Sequence, residues 1–346
     1  MKAKREAWLD GLKGFAILLV ILGHVLSGYL DANTFPDAYY SLYGLRSWIY
    51  SFHMPLFFFI SGMLFVPSKH VSTSGYIKKK ANSLLIPYIF FYLVSLLYWY
   101  FVEYRIFGRD GDTTFLNELY RIFHGTGSIA AGTLWFLPCL FCVEVLYCFM
   151  HDEHHKYAGG IYSVIVFIIG SVCIHYHFCP QILGLLQALV VMPVFAAGYY
   201  LRDKIDAIIA SPLKMKVAIM CIALVVQYLL LDYSILNLAG FELSEFYIFF
   251  PLAFAGIAFY LMLSLIIRKN FYLEWIGKNS LFIFAFHGQI YRGIIIILSI
   301  FLSVSSSELR EGYFSAVLIT VITLFTMIPV TYIYNKWVAP LIMKKK

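Results

Sequence analysis

The chain has 346 residues, 61% of them hydrophobic and only 13% charged, with a mean hydropathy of +0.79. A soluble domain carries about 25% charged residues, so a soluble enzyme is excluded. The formal net charge of +7 would point to nucleic acid only if the basic residues clustered on a soluble face. They fall instead between apolar blocks of about 20 residues, each long enough to span a bilayer as helix. The fold class that follows is an all-α, polytopic membrane protein, a single transmembrane domain over residues 1–346.

Ten spans are predicted, over about 11–30, 45–66, 84–106, 132–150, 160–177, 182–201, 215–231, 246–267, 280–302 and 313–335. The first block ends in no small-x-small cleavage site and is expected to be retained. With the N-terminus inside, every lysine and all but six of the 26 basic residues fall on the inner side. The six are Arg46, Arg105, Arg109, Arg121, Arg292 and Arg310. Such asymmetry sets both termini in the cytoplasm. The longest outer connection, 107–131, holds a predicted short amphipathic helix over Phe115–Phe123. No connection has room for a soluble domain.

Few polar residues interrupt the spans, and in chain order they are informative. Asp10 and Lys13 open the first span, WLDGLKGFAILLVILGH, and His24 follows Lys13 by eleven residues. At about 1.5 Å per residue the imidazole lies roughly 16 Å beyond the lysine, about half of a ~30 Å hydrocarbon core. A titratable group at that depth marks a functional site unless it is a polar contact between helices. His53 sits in SFHMPLFFFISGMLF with Pro55 behind it. Glu144 follows TLWFLPCLF, with Pro138 upstream. His287 and Arg292 lie in SLFIFAFHGQIYRG. Proline inside a span frees carbonyls and kinks the helix. Lys78, Lys79 and Lys80 read either as orientation charges or as a site for a polyanion at the inner face. Cys139 and Cys142 form a CxxC inside an apolar run and read as buried small residues. His151–His155, HDEHH, reads as a solvated turn and not a metal site. On this evidence two chemistries compete: His24 as a general base beside a phosphorylated donor, or polar residues lining a translocation path. A non-catalytic scaffold is a third reading.

Four stretches together resemble the membrane-bound acyltransferase family 3, which includes bacterial glycan O-acetyltransferases: LDGLKGFAILLVILGH (9–24), FHMPLFFFISGMLF (52–65), YIKKKANSLLIPY (76–88) and GTLWFLPCLFCVE (132–144). A fifth, LEWIGKNSLFIFAFH (273–287), is a looser match. The resemblance implies ten helices with cytoplasmic termini in a bacterial inner membrane. It also implies transfer of an acetyl or short acyl group from cytosolic acetyl-CoA to a hydroxyl of an outer or lipid-linked carbohydrate. His24 falls at the expected catalytic base and Lys13 at the family's basic residue. Lys80 and Ser83 fall where two arginines three apart are frequent. Ser83 removes one charge from that pair, which Lys78 or Lys79 can compensate. Glu144 or Asp10 would orient the base or a basic neighbour. Lys13, Lys78, Lys79, Lys80 and Ser83 are the expected acyl-CoA contacts, and His53, Trp135, His287 and Arg292 the expected acceptor contacts. The expected partners are acyl-CoA, the carbohydrate or lipid-linked glycan acceptor and membrane lipids. No nucleic acid and no metal are required, and homo-oligomerisation is left open. The hydrolase-like periplasmic domain fused to some members is not expected.

Overall fold

The computed structural model describes residues 6–31, 36–66, 73–106, 113–125, 127–152, 154–155, 157–176, 181–231, 236–237, 242–243, 246–310 and 312–342. Lys2, Lys4, Arg5, Lys69, Arg109, Glu153, Lys156 and Lys344–Lys346 lie outside them. The chain is nearly all helix: α1 (Ala7–Asp31), α2 (Pro36–Tyr50), α3 (His53–Leu64), α4 (Thr73–Lys80), α5 (Ile86–Tyr98), α6 (Phe115–His124), α7 (Phe136–Met150), α8 (Ala158–His175), α9 (Leu185–Arg202), α10 (Ile205–Ala210), α11 (Leu213–Leu230), α12 (Phe246–Ile267), α13 (Phe271–Lys278), α14 (Ser280–Leu302), α15 (Gly312–Ile333) and α16 (Ala339–Ile342). Among the described residues ten helical stretches are long and apolar enough to cross a membrane. They overlap all ten predicted ranges.

The largest difference is at the third span, which runs over Thr73–Tyr104 and takes in the lysine run. Lysine lowers hydropathy but is a good helix former, so the helix starts before the apolar stretch does. It widens to π-helix at Ala81–Leu85. Pro87 lies two residues beyond it. It lacks an N–H and its ring crowds the carbonyl four residues back, which the wider turn accommodates.

Close contacts divide the chain into two compact units. One holds Met1–Phe57, Ile205–Asn237 and Leu243–Tyr334; the other holds Phe58–Lys204, Leu238–Glu242 and Asn335–Lys346. In the first, α1 packs against α2, α12, α13, α14 and α15. Its sequence explains this place. Leu12, Ala16, Ile17, Val20, Ile21, Val25 and Leu26 are all fully buried, and they cover the helix all round, as in a core helix. The crossing with α13 depends on two glycines. A Cβ on Gly14 would strike the Leu273 carbonyl, and one on Gly277 would strike the carbonyl of Asp10. Close backbone approach through small residues is how membrane helices gain packing contacts without a hydrophobic driving force.

The second unit repeats the device. A Cβ on Gly62 of α3 would meet the Phe195 carbonyl, and one on Gly198 of α9 would meet that of Phe59. Helix α8 turns Gly159, Ser163 and Gly170 inward, and leaves Ile161, Ile165, Ile168 and Ile169 exposed as a lipid face. The predicted amphipathic helix is α6. Thr114 caps it, accepting from the Asn117 amide at 3.2 Å, and Gly125 ends it at a positive φ of 77°. Hydroxyls of α5 fix it in place: Tyr92 donates to the Glu118 carbonyl at 2.6 Å and Tyr88 to that of Ile122 at 2.8 Å.

Candidate active site

The histidines of the first unit form one cluster. His24 comes from α1, His53 from the start of α3 and His287 from α14. The rings of His24 and His287 are 5.0 Å apart between centroids. Tyr50 stands 6.2 Å from His24 on one side and 4.8 Å from His53 on the other. The groups that act on His24 electrostatically are all basic: His287, His53, Arg292 and Arg46.

Local sequence features bring these rings together. Gly23, next to His24, has no side chain to hold off α2. A Cβ there would crowd Ile49 and the Tyr50 ring at 3.1 Å. Gly28, one turn on, leaves room for the Tyr291 hydroxyl. The break between α2 and α3 sits at Ser51 and Phe52. Phe52 packs between Trp48 at 5.2 Å and Tyr260 at 5.3 Å, in a space that a Cβ on Gly256 would fill. Its neighbour His53 is fixed by that anchor. Pro55 is therefore in the first turn of α3, where a missing N–H leaves no bond unmade. It helps start a helix and does not kink one. Pro138, the third residue of α7, does the same.

Burial and hydrogen bonding separate the three residues. His53 and His287 are buried, and each bonds its own helix. His53 Nδ1 lies 2.9 Å from the Ile49 carbonyl, and His287 Nδ1 lies 2.8 Å from that of Phe284. His24 is half-buried and meets its neighbours through ring contacts. Because α1 begins at Ala7, His24 lies roughly 26 Å from that end and roughly 9 Å from Leu30, nearer the far end than the middle. Arg46, which the sequence reading did not assign to the site, is built into it. Its Nε donates to Ser27 Oγ at 3.0 Å, Ser27 Oγ is 2.9 Å from the Tyr50 hydroxyl, and the guanidinium covers the Tyr50 ring at 4.4 Å. Its sign in the sequence was an arginine inside an apolar span, YGLRSWIYSFH.

An imidazole set among basic groups fits proton transfer in a reaction that develops negative charge. Residues 6–336 match the family described as an acyltransferase domain. The chain belongs to acyltransferase family 3. It is also 33% identical to the nodulation protein NolL of Mesorhizobium japonicum over 144 residues. That match covers 41% of this chain and 35% of the relative, so the likeness spans about a third of that protein's length. No solved structure matches the chain.

The other predicted site residues of this multi-pass membrane acyltransferase lie elsewhere. Asp10 is buried and Lys13 half-buried, both on α1. Asp10 is roughly 21 Å from His24 along the continuous helix, too far to orient the imidazole. Within the second unit Glu144 pairs with Lys80 and accepts from the Tyr76 hydroxyl at 3.0 Å. Tyr76 and Lys80 are four apart on α4 and share a face; Lys78 and Lys79 turn away and are exposed. Ser83 is exposed and donates to the Lys80 carbonyl at 3.2 Å. Trp135 is buried, its ring 6.4 Å from that of Phe58. In the HDEHH segment Asp152 accepts from the His154 amide at 2.8 Å and from His155 at 2.6 Å. The His155 hydrogen bond, then the amide, hold its carboxyl below the usual carboxylate range. Glu118, which the sequence reading passed over, is fully buried. Its Oε2 accepts from Ser128 at 2.7 Å and from the amides of Ile129 and Ala130 at 3.0 and 3.3 Å.

Proposed function

We propose that this acyltransferase moves an acetyl or other short acyl group from cytosolic acyl-CoA to a hydroxyl of an extracytoplasmic or lipid-linked carbohydrate, in a bacterial inner membrane with both termini in the cytoplasm. His24 is the general base. The observation that carries this reading is the cluster itself: His24 packs its ring against His287 among basic groups, and of the three histidines it alone is not a fully buried residue. The hydroxyl proton passes to His24 as the oxygen attacks the thioester carbonyl. Collapse of the adduct breaks the C–S bond, and the proton leaves with the CoA thiolate. The guanidinium of Arg46, held by Ser27 and Tyr50, supplies fixed positive charge for the developing oxyanion. Lys13, on the helix of the base, is the cation offered to the donor's phosphates. Lys80 is already paired with Glu144 and is assigned a structural role instead.

Acetyl transfer by the purified protein in bilayers tests this directly. His24→Ala is expected to lower turnover about 10²–10⁴-fold without loss of fold. Normal turnover in a folded His24→Ala protein removes the base. A solute flux across liposomes without any acyl donor replaces the reading with transport.

A further inference from the structure

His287 shows none of its surface. Its Nδ1 stands 2.8 Å from the Phe284 carbonyl and 3.2 Å from that of Ile283, three and four residues back along α14. Carbonyls only accept, so Nδ1 carries the hydrogen of the neutral ring and Nε2 carries the lone pair. That Nε2 is buried and meets no hydrogen-bond donor. A bare acceptor in a folded interior is rare and asks for a function. The neighbouring imidazole is that of His24, with centroids 5.0 Å apart and planes tilted by 46°. No hydrogen bond joins the two rings as they stand, and at this separation a turn of the His24 ring brings one of its nitrogens within reach of Nε2. His53 is placed differently, with its ring against Tyr50 at 4.8 Å.

We infer that His287 is the positioning residue of His24: when the His24 ring turns toward it, its bare Nε2 accepts the N–H of that ring, which leaves the other His24 nitrogen free to take the acceptor's proton. The inference rests on His24 being the base. It gives His287 the place that a carboxylate holds in a Ser-His-Asp triad. Here the orienting group is neutral, and its tautomer is set by the carbonyls of its own helix. The balance closes without a co-reactant. As the acceptor O–H bond breaks and the O–C bond forms, His24 gains a second N–H. One of its two N–H groups stays on His287 Nε2, and the other proton leaves with CoA when the C–S bond breaks. His287 itself neither gains nor loses a proton.

The test is CoA thiol release from acetyl-CoA by the purified protein in liposomes carrying a bacterial glycolipid extract. His287→Ala is expected to lower kcat about 100-fold while the acetyl-CoA KM stays within about threefold. His287→Gln, whose amide oxygen can accept near the Nε2 position, should recover at least about tenfold of that loss. The double variant with His24→Ala should be no slower than His24→Ala alone. Full turnover in His287→Ala, multiplicative losses in the double variant, or a glutamine no better than alanine overturns the inference. A second readout is independent of turnover. In protein with ¹⁵N-labelled histidine in bilayers, a coupling through the hydrogen bond should join the His24 and His287 ring nitrogens and vanish in His24→Ala. Absence of that coupling in the wild type overturns the pairing even where His24 proves to be the base. Coupling together with full turnover in His24→Ala removes the base, and the positioning role with it.

Discussion

The two compact units treat buried charge in opposite ways. In the first, the groups that act on His24 are two imidazoles and two guanidiniums, and His287 keeps a ring nitrogen with no donor. In the second, Glu144 is matched by Lys80 and Tyr76, and Glu118 by a hydroxyl and two backbone amides. Buried polar groups are ordinarily satisfied because an unmade bond there is expensive. In the second unit Glu144 and the Oε2 of Glu118 follow that rule and hold helices in place, while Glu118 Oε1 and the Thr113 hydroxyl are buried without a hydrogen bond. In the first, the unbonded His287 Nε2 lies where chemistry is proposed, and the Trp8 ring nitrogen and the Thr331 hydroxyl are also buried without a hydrogen bond. What sets the first unit's cluster apart is the sign of its groups: those acting on His24 are all basic, whereas the second unit's buried carboxylates each face a donor.

That contrast can be broken by experiment, and the largest effect should come from its two poles. His24→Ala should remove activity while leaving the thermal unfolding of the detergent-solubilised protein unchanged. Glu144→Ala should do the reverse. It leaves Lys80 half-buried without its carboxylate, a loss of about 3 kcal/mol read by denaturant unfolding in bicelles. Replacing the pair together, as Lys80→Met with Glu144→Leu, should return stability to within about 1 kcal/mol of wild type; a double variant as unstable as Glu144→Ala alone would show that the pair does more than satisfy itself. Glu118→Gln should cost about 1–2 kcal/mol, since one neutral oxygen replaces a carboxylate that serves three donors. Lys13→Ala should weaken acetyl-CoA binding about tenfold at low salt, less at high salt. Equal affinity at both salts would move the donor's phosphates elsewhere. Smallest is Thr114→Ala, which removes the cap of α6 and should cost about 1 kcal/mol, with turnover unaffected.

Much of the fold is legible in the sequence because a hydrocarbon core admits few solutions. A run of about 20 apolar residues there must be helix, so the ten spans follow from hydropathy alone. His24 also stands out by itself, since an imidazole in such a run has no local reason to be there. Single-residue chemistry was harder to read. Pro55 and Pro138 read as kinks by their presence in spans, yet both sit in first turns. The difference lies in where the preceding segment stops, which Phe52 against Gly256 decides for α3. Lys80 and Ser83 read as one pair by their spacing, but Lys80 turns to Glu144 from another helix.

The sequence by itself determined the class of molecule, the number of spans and the residue on which the chemistry is proposed to turn. These depend on composition and on distances along a single helix. Tertiary structure alone decided that His24 meets His287, that Arg46 is clamped between Ser27 and Tyr50, and that Glu144 belongs to Lys80. Such contacts join segments far apart in the chain. They depend on which helices approach closely, and that is set by glycines at Gly14, Gly23, Gly28 and Gly277, whose effect lies in the side chain they lack and leaves no mark in the hydropathy pattern.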